Sequence, residues 1–280
     1  MRRARGIVEF WYLAPPLGFL TAFLLVPLVL LLGVSFTEGY PLEAAPSLAG
    51  YRDLFTDALY RSYLATTLLF GFVVTAATLA VGYPLAYFLV RQARRSYNLL
   101  LLAVVSPLLV SVVARTVGWI ILLGNEGPVN AALIALGITA KPIQILFTPF
   151  AATLGMVHVL LPFMVLSLAS VLSRQDRSLE EAARSLGADR TRVFWRVTFP
   201  LSLRGVSVGC ALVFLLAIGS FVTPALLGGG KIRLLAPLVY DQLINVVDWS
   251  TGSAMSVVLL VAGFGMLLLF PLAERAVRRQ

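Results

Sequence analysis

The chain has 280 residues, 59% of them hydrophobic and only 12% charged. Soluble domains carry about 25% charged residues, and a water-soluble fold of this size has too little interior for so much apolar side chain, which leaves a polytopic helical membrane protein. One cysteine, Cys210, excludes an intrachain disulfide; one histidine, His158, leaves too few ligands for a familiar metal site; and the net charge of +9 reports membrane topology before it reports nucleic acid.

The chain opens MRRARG and then runs mostly apolar for roughly 25 residues, longer than the core of a signal peptide. This is read as a retained first span. Six stretches are long enough to cross a hydrocarbon core as helices: 12–36, 63–90, 98–123, 149–172, 202–227 and 253–272. Pro27, Pro84, Pro107, Pro162 and Pro224 lie within them and predict kinks that neighbouring helices satisfy. The fold class expected is therefore all-α, with residues 1–280 forming one transmembrane domain and a loop at 173–204 between the fourth and fifth spans.

Charge orients the spans. Sixteen of the 22 Lys and Arg residues fall on one side: Arg2, Arg3 and Arg5; Arg91, Arg94 and Arg95; seven arginines from Arg174 to Arg204; and Arg275, Arg278 and Arg279. Arg52, Arg61, Lys141, Lys231 and Arg233 lie on the other, and Arg115 lies within a span. The excess places both termini in the cytoplasm. The outer loops, 37–62, 124–148 and 228–252, are each long enough for a short helix.

The cytoplasmic loop 173–204 is polar and reads as two helices. Ser178 and Glu181 have capping-box spacing, Leu179, Ala182, Ala183 and Leu186 recur at helical spacing, and Gly187 stands where a helix end wants a left-handed residue. A second helix starts at Asp189 and runs to Pro200, with Val193, Phe194 and Val197 on one face and Arg190, Arg192 and Arg196 on the other. Small residues at 182, 183 and 187 suit a knob docking in a partner's groove. The same amphipathic hairpin suits an anionic membrane surface.

The run EAARSLGADRTRVFWRVTFP resembles the cytoplasmic signature of permease subunits of bacterial ABC importers: Glu-Ala-Ala, three residues, Gly, nine residues, Ile, one residue, Leu-Pro. Glu181, Ala182, Ala183, Gly187 and Pro200 hold the expected positions, with Val197 in place of Ile and Phe199 in place of Leu. ARTVGWIILLGNEGPVN and LLGGGKIRLLAPLVYDQLINVVDWSTGSA are similar to the spermidine/putrescine-type B permease branch, a likeness that covers the chain from Leu20 onward. The resemblance implies a coupling helix seated in a cleft of an ATPase subunit, with Glu180, Glu181, Ala182, Ala183, Ser185, Leu186, Gly187 and Ala188 in the contact. It also implies a bacterial inner-membrane location, a second and similar permease, two ATPase subunits carrying ATP and Mg, and a periplasmic binding protein. The cargo implied is a small solute, foremost a polyamine, with amino acids, opines, phosphonates and ferric iron as alternatives.

The motor is not expected in this chain. LLGGGKIR lacks the Gly five positions before Gly230, and Ile232 rather than Ser or Thr follows Lys231, so it is no phosphate-cradling loop. Gly228–Gly230 is read instead as a flexible turn, and the chain as a transport subunit without enzymatic activity, cofactor, metal or nucleic-acid partner. An ion-coupled secondary transporter is the rival class; no Asp or Glu lies well inside a span, which argues against a proton relay. A channel's ring of charge is likewise not visible.

Arg115 needs a partner, a cavity or an interfacial position, because a central arginine costs about 2.5–3.5 kcal/mol on insertion scales. It is read as a path residue or as a structural interhelical donor; with a polyamine cargo it would have to be paired, by Glu126 or Asp241. Trp119, Asn125, Glu126, Ser220, Phe221, Pro224 and Asp241 complete the candidate path and gate. His158 is read as a packing histidine, and Trp119, Trp249 and Tyr240 as interfacial belt residues or rests for an amine. Asp53, Asp57, Glu126, Asp241 and Asp248 could guide a cation or meet a binding protein. Arg115, Lys231 and Arg233 leave an anionic or zwitterionic cargo open.

Overall fold

A computed structural model describes residues 2–38, 45–92 and 96–278, with side chains described at 12, 14–38, 45–92 and 96–272. Arg94, Arg95 and Arg279 of the charge count, and residues 39–44 of the first outer loop, lie outside the described residues. The elements in order are α1 (Arg2–Ser35), α2 (Ala49–Thr56), α3 (Ala58–Arg91), α4 (Tyr97–Val105) with a 3-10 turn over Ser106–Leu109, α5 (Val112–Leu123), α6 (Pro128–Ala135) and α7 (Pro149–Leu172). Then come α8 (Arg177–Ser185), α9 (Arg190–Val193), a π turn over Phe194–Thr198, α10 (Phe199–Ile218), α11 (Val222–Gly228), α12 (Leu235–Tyr240), a π turn over Asp241–Val246, and α13 (Trp249–Arg278). Among the described residues the only extended pairing is an isolated bridge between Thr37 and Pro46.

Six helical segments are long and apolar enough to span a membrane: Ala14–Ser35, Ala58–Arg91, Val112–Ala135, Pro149–Leu172, Arg190–Ile218 and Trp249–Leu272. Two of the expected helices are corrected. The helix expected at 98–123 is broken, because the chain turns extended at Val110 (ψ 139°) and Ser111 (ψ 135°) after the 3-10 turn at Pro107. The helix expected at 202–227 ends at Ile218, and α11 starts afresh at Val222 beyond Gly219, Ser220 and Phe221. Hydropathy records that such a stretch is apolar; it does not record whether its backbone stays helical. Pro27, Pro84 and Pro162, by contrast, lie inside continuous helices.

The chain divides into two compact units. The first comprises residues 1–61 and 238–258. In it α2 lies so close to the start of α13 that a Cβ on Gly50 would come within 3.2 Å of the Ala254 Cβ, and the Tyr51 hydroxyl meets Ser35 Oγ at 2.8 Å.

The second unit comprises residues 62–237 and 259–280. Its core is built from α3, α7 and α10: Val74, Ala86, Leu89, Met164, Leu168, Leu172, Val213 and Ala217 are all fully buried. Helices approach closely where side chains are absent. Gly82 and Gly209 both lie against Met164, and Gly205 against Val171. This is the small-residue packing by which membrane helices gain van der Waals contact without a hydrophobic driving force.

Candidate functional site

Two local regions carry the candidate residues. The first is the loop after α7. Asp176, not the expected Ser178, caps α8: its Oδ1 accepts from the Ser178 backbone N–H at 2.9 Å. Those hydrogen bonds from Ser178 hold the Asp176 carboxyl below its ordinary pKa. The helix ends as expected at Gly187, whose φ is +84°. Gly187 N–H donates to the Arg184 carbonyl at 2.9 Å and Ala188 N–H to the Ala183 carbonyl at 3.1 Å, the paired bonds of a Schellman turn.

Asp189 caps the next helix by accepting from the Arg192 N–H at 2.8 Å. That helix does not stop at Pro200. It runs on into α10 through a π turn in which Phe199 N–H reaches back to the Phe194 carbonyl. Pro200 explains the widening: it has no N–H for the Arg196 carbonyl, so the ladder shifts by one residue there.

The coupling residues inferred from the sequence divide by side. Leu179 is 48% exposed and Leu186 89% exposed, and Glu181, Ala182, Ser185 and Gly187 are exposed beside them, with Ala183 and Ala188 half-buried. Glu180 turns the other way. It is buried, with its Oε1 2.8 Å from Arg91 Nη2 and accepting from the Thr198 hydroxyl at 3.0 Å. It therefore serves the interior of this chain. A cavity of about 660 Å³ opens beside it, lined by Tyr87, Arg91, Arg177, Arg184, Arg190 and Glu181 among others.

Sequence reasoning counted Arg91 only toward topology and passed over Gln175 and Thr198. Arg91 and Glu180 are 89 positions apart, so no spacing pattern could announce the pair. The one available signal was a charged residue standing at the end of an otherwise apolar helix.

The second region surrounds the broken helices. Thr116 Oγ1 of α5 meets Thr223 Oγ1 of α11 at 3.2 Å, joining the two segments that restart after the breaks. Trp119 Nε1 donates to His158 Nδ1 at 3.1 Å, with the rings 5.7 Å apart and nearly perpendicular. His158 is thus hydrogen-bonded, with Trp119 as its donor.

Arg115 is the anomaly. Its Nε and Nη1 are buried without a hydrogen-bond partner, and among the described residues it has no ion pair. The expected pairing with Glu126 is not formed; Asp241, the other expected partner, belongs to the other unit. Glu126 and Asn125 are exposed, and Asp241 accepts from Asn245 Nδ2 at 2.8 Å. Of the other path candidates, Pro224 is buried, Ser220 half-buried and Phe221 exposed.

Two of the acids read as cation guides do structural work at helix starts. Asp57 accepts from the Leu59 N–H at 2.7 Å at the head of α3, and Asp248 from the Thr251 N–H at 3.0 Å at the head of α13. The glycine run has a defined geometry: Gly229 and Gly230 have φ of +58° and +72°. Phe147 packs against Gly229, where a Cβ would lie within 2.6 Å of the ring, and its N–H donates to the Leu227 carbonyl at 2.9 Å.

Among the described residues no cluster of His, Cys, Asp and Glu could hold a metal ion. What the geometry offers is an exposed, firmly capped helix on the polar side of a bundle whose spanning helices are broken in two places.

Residues 4–279 match the family described as binding-protein-dependent transport system inner membrane component. The chain is 35% identical over 266 residues to the spermidine/putrescine transport system permease protein PotB of Escherichia coli K12, covering 94% of this chain and 96% of that one. It is 36% identical over 266 residues to PotB of Haemophilus influenzae, covering 94% and 93%. Its fold matches a crystal structure of a bacterial ABC transporter involved in the import of the acidic polysaccharide alginate, with TM-score 0.72 and 16% identity over 99% of each chain. A crystal structure of the alginate transporter in complex with alginate pentasaccharide-bound periplasmic protein matches with TM-score 0.77 and 15% identity over 99% of this chain and 97% of that one. The chain belongs to the binding-protein-dependent transport system inner membrane component family. It is an ABC importer permease.

Proposed function

We propose that this chain is one permease of a heteromeric importer: it pairs with a second permease, rests on two ATPase subunits that hold ATP and Mg, and receives its cargo from a periplasmic binding protein. Both termini lie in the cytoplasm, on the side where sixteen of the 22 Lys and Arg residues collect. The observation that carries the reading is α8. It is capped at both ends, held to the chain by Glu180, and directs Leu179 and Leu186 outward, which suits an apolar groove on a partner better than a free surface. Hydrolysis belongs to that partner, because the glycine run before Lys231 lacks the phosphate-loop spacing.

The cargo in this reading is a polyamine, supported by the likeness to the spermidine/putrescine permeases. The path runs beside the helix breaks, where Arg115, Trp119, Asn125, Glu126, Ser220, Phe221 and Pro224 lie; irregular backbone at membrane depth is tolerated where it is enclosed by protein or lines a wet cavity. Asp241, in the other unit, is the eighth candidate. A second reading is favoured by one observation. Two guanidinium nitrogens of Arg115, Nε and Nη1, are buried without a hydrogen-bond partner, which suits a cargo that carries an anionic group, as a zwitterion does.

Reconstitution tests both readings. The complex with its cognate binding protein should take up labelled spermidine with ATP, and spermidine should raise the melting temperature of the binding protein. Failure of both, with uptake of an amino acid or a phosphonate instead, would replace the first cargo with the second. The purified chain alone should hydrolyse no ATP; turnover by it would overturn the division of labour.

A further inference from the structure

We infer that Arg91 is a positioning residue that locks the coupling helix to the second membrane span, so that α8 and the inner end of α3 move as one body. The inference rests on α8 being the element that meets the ATPase.

The chain connects α8 only to its neighbours in sequence, α7 before it and α9 after it. The side chains add a third attachment. Arg91 is the last residue of α3. Its Nη2 lies 2.8 Å from Glu180 Oε1 and donates to Gln175 Oε1 at 3.2 Å. Arg177, the first residue of α8, returns the connection by donating from Nη2 to the Val90 carbonyl at 2.9 Å, one of the carbonyls that a helix end leaves without an intrahelical donor. Three bonds thus join α3 to the α8 region across more than 80 residues of sequence. Thr198 extends the lock to the π turn: its hydroxyl donates to the same Glu180 oxygen that Arg91 holds.

The lock is built to stay closed. The Arg91 and Glu180 side chains are only 8% and 10% exposed, so separating them would leave two largely buried charges without their partner. Around it, Tyr83 and Tyr87 of α3 stand edge-on to Phe194 of the π turn, at 5.6 and 5.8 Å between ring centres. An exposed salt bridge between flexible side chains would transmit little. A buried pair seated on an aromatic cluster fixes both distance and direction. A stroke delivered to α8 therefore reaches the second span directly, and Glu180 is the joint through which it does so.

The test is a distance measured in the assembled complex, in nanodiscs, with Cys210→Ala as background. Spin labels go at Ser178 and Gln92, both exposed, and the distance is read nucleotide-free and after vanadate trapping. In the wild type it should be narrow and the same in both states. In Glu180→Gln it should broaden and shift on trapping by about 5 Å, roughly one helical turn. Arg91→Gln carries the same expectation, should the first variant fail to assemble. A wild-type distance that shifts on trapping by that amount, or variants that track an unchanging wild type, would overturn the lock. A Leu186→Cys crosslink to the ATPase, run in parallel, separates this from the reading beneath it. Loss of that crosslink in an active wild-type complex refutes α8 as the coupling helix. A crosslink present with unaltered variant distances refutes only the lock.

Discussion

Replacing Gly187 separates two reasons for a glycine at the end of α8, the helix proposed to couple to the ATPase. Its φ is +84°, and a Cβ built on it meets no atom of the described residues within 4 Å. Any penalty within the chain therefore comes from backbone conformation, not from a clash. An L-residue held left-handed loses roughly 1–2 kcal/mol, with Asn penalised least because its side chain can bond locally. That range corresponds to a factor of about 5–30 in the population of the closed turn. Opening it releases the Gly187–Arg184 and Ala188–Ala183 bonds, which set the direction in which the chain leaves α8. Uptake per ATP hydrolysed, measured in the reconstituted complex, should fall in the order Gly, Asn, Ala, Val, while membrane insertion is unchanged. Equal loss in Gly187→Asn and Gly187→Val would refute the conformational argument and assign the glycine to close contact with the ATPase. Unimpaired uptake in all three would remove Gly187 from the mechanism.

Three further outcomes are expected. Asn130→Ala should lower the melting temperature of the purified chain. The buried Asn130 amide donates to the Gly124 and Ile143 carbonyls and accepts from the Ile143 N–H, and each buried group left unpaired costs about 1–3 kcal/mol; an unchanged melt would show that water reaches these groups. Arg115→Met should raise the thermal stability of the chain on its own, because two of its guanidinium nitrogens are buried without a partner, while lowering transport by the complex; a lower melting temperature would mean that the cation is already satisfied. Asp176 sets a pH dependence. Its pKa is depressed in the folded chain, so its stabilisation of α8 is present above the ordinary carboxylate range and is lost as pH falls through the depressed value. Hydrogen exchange of the α8 amides, corrected for intrinsic rates, should quicken over that fall in the wild type and not in Asp176→Asn.

Much of this molecule is legible in the sequence because the bilayer imposes one-dimensional rules. An apolar run must be helical and some 20 residues long to cross, and arginines collect on one side. Local rules reach as far as the loop 173–204: Gly187 and Asp189 sit at helix ends where their chemistry puts them. They fail by two residues at the other end of α8, since Ser178 and Asp176 are both competent caps and only the fold selects between them. They fail more widely in the runs 98–123 and 202–227, where Val110, Ser111, Gly219 and Phe221 leave the helix although each run is apolar enough on average to cross a membrane. Sequence is silent on a second use of the acids: Asp57 and Asp248 each place one carboxylate oxygen on the first turn of α3 or α13, a role that spacing alone does not announce. Glu180 and Glu181 are adjacent and chemically alike, and nothing in the sequence says which one faces the partner. Rotation by about 100° per residue sends one outward and the other onto Arg91, a residue on another helix altogether. The distinction between a residue that faces outward from α8 and one that holds the helix in place is a fact of tertiary structure. It appears only once α3 is folded against α8.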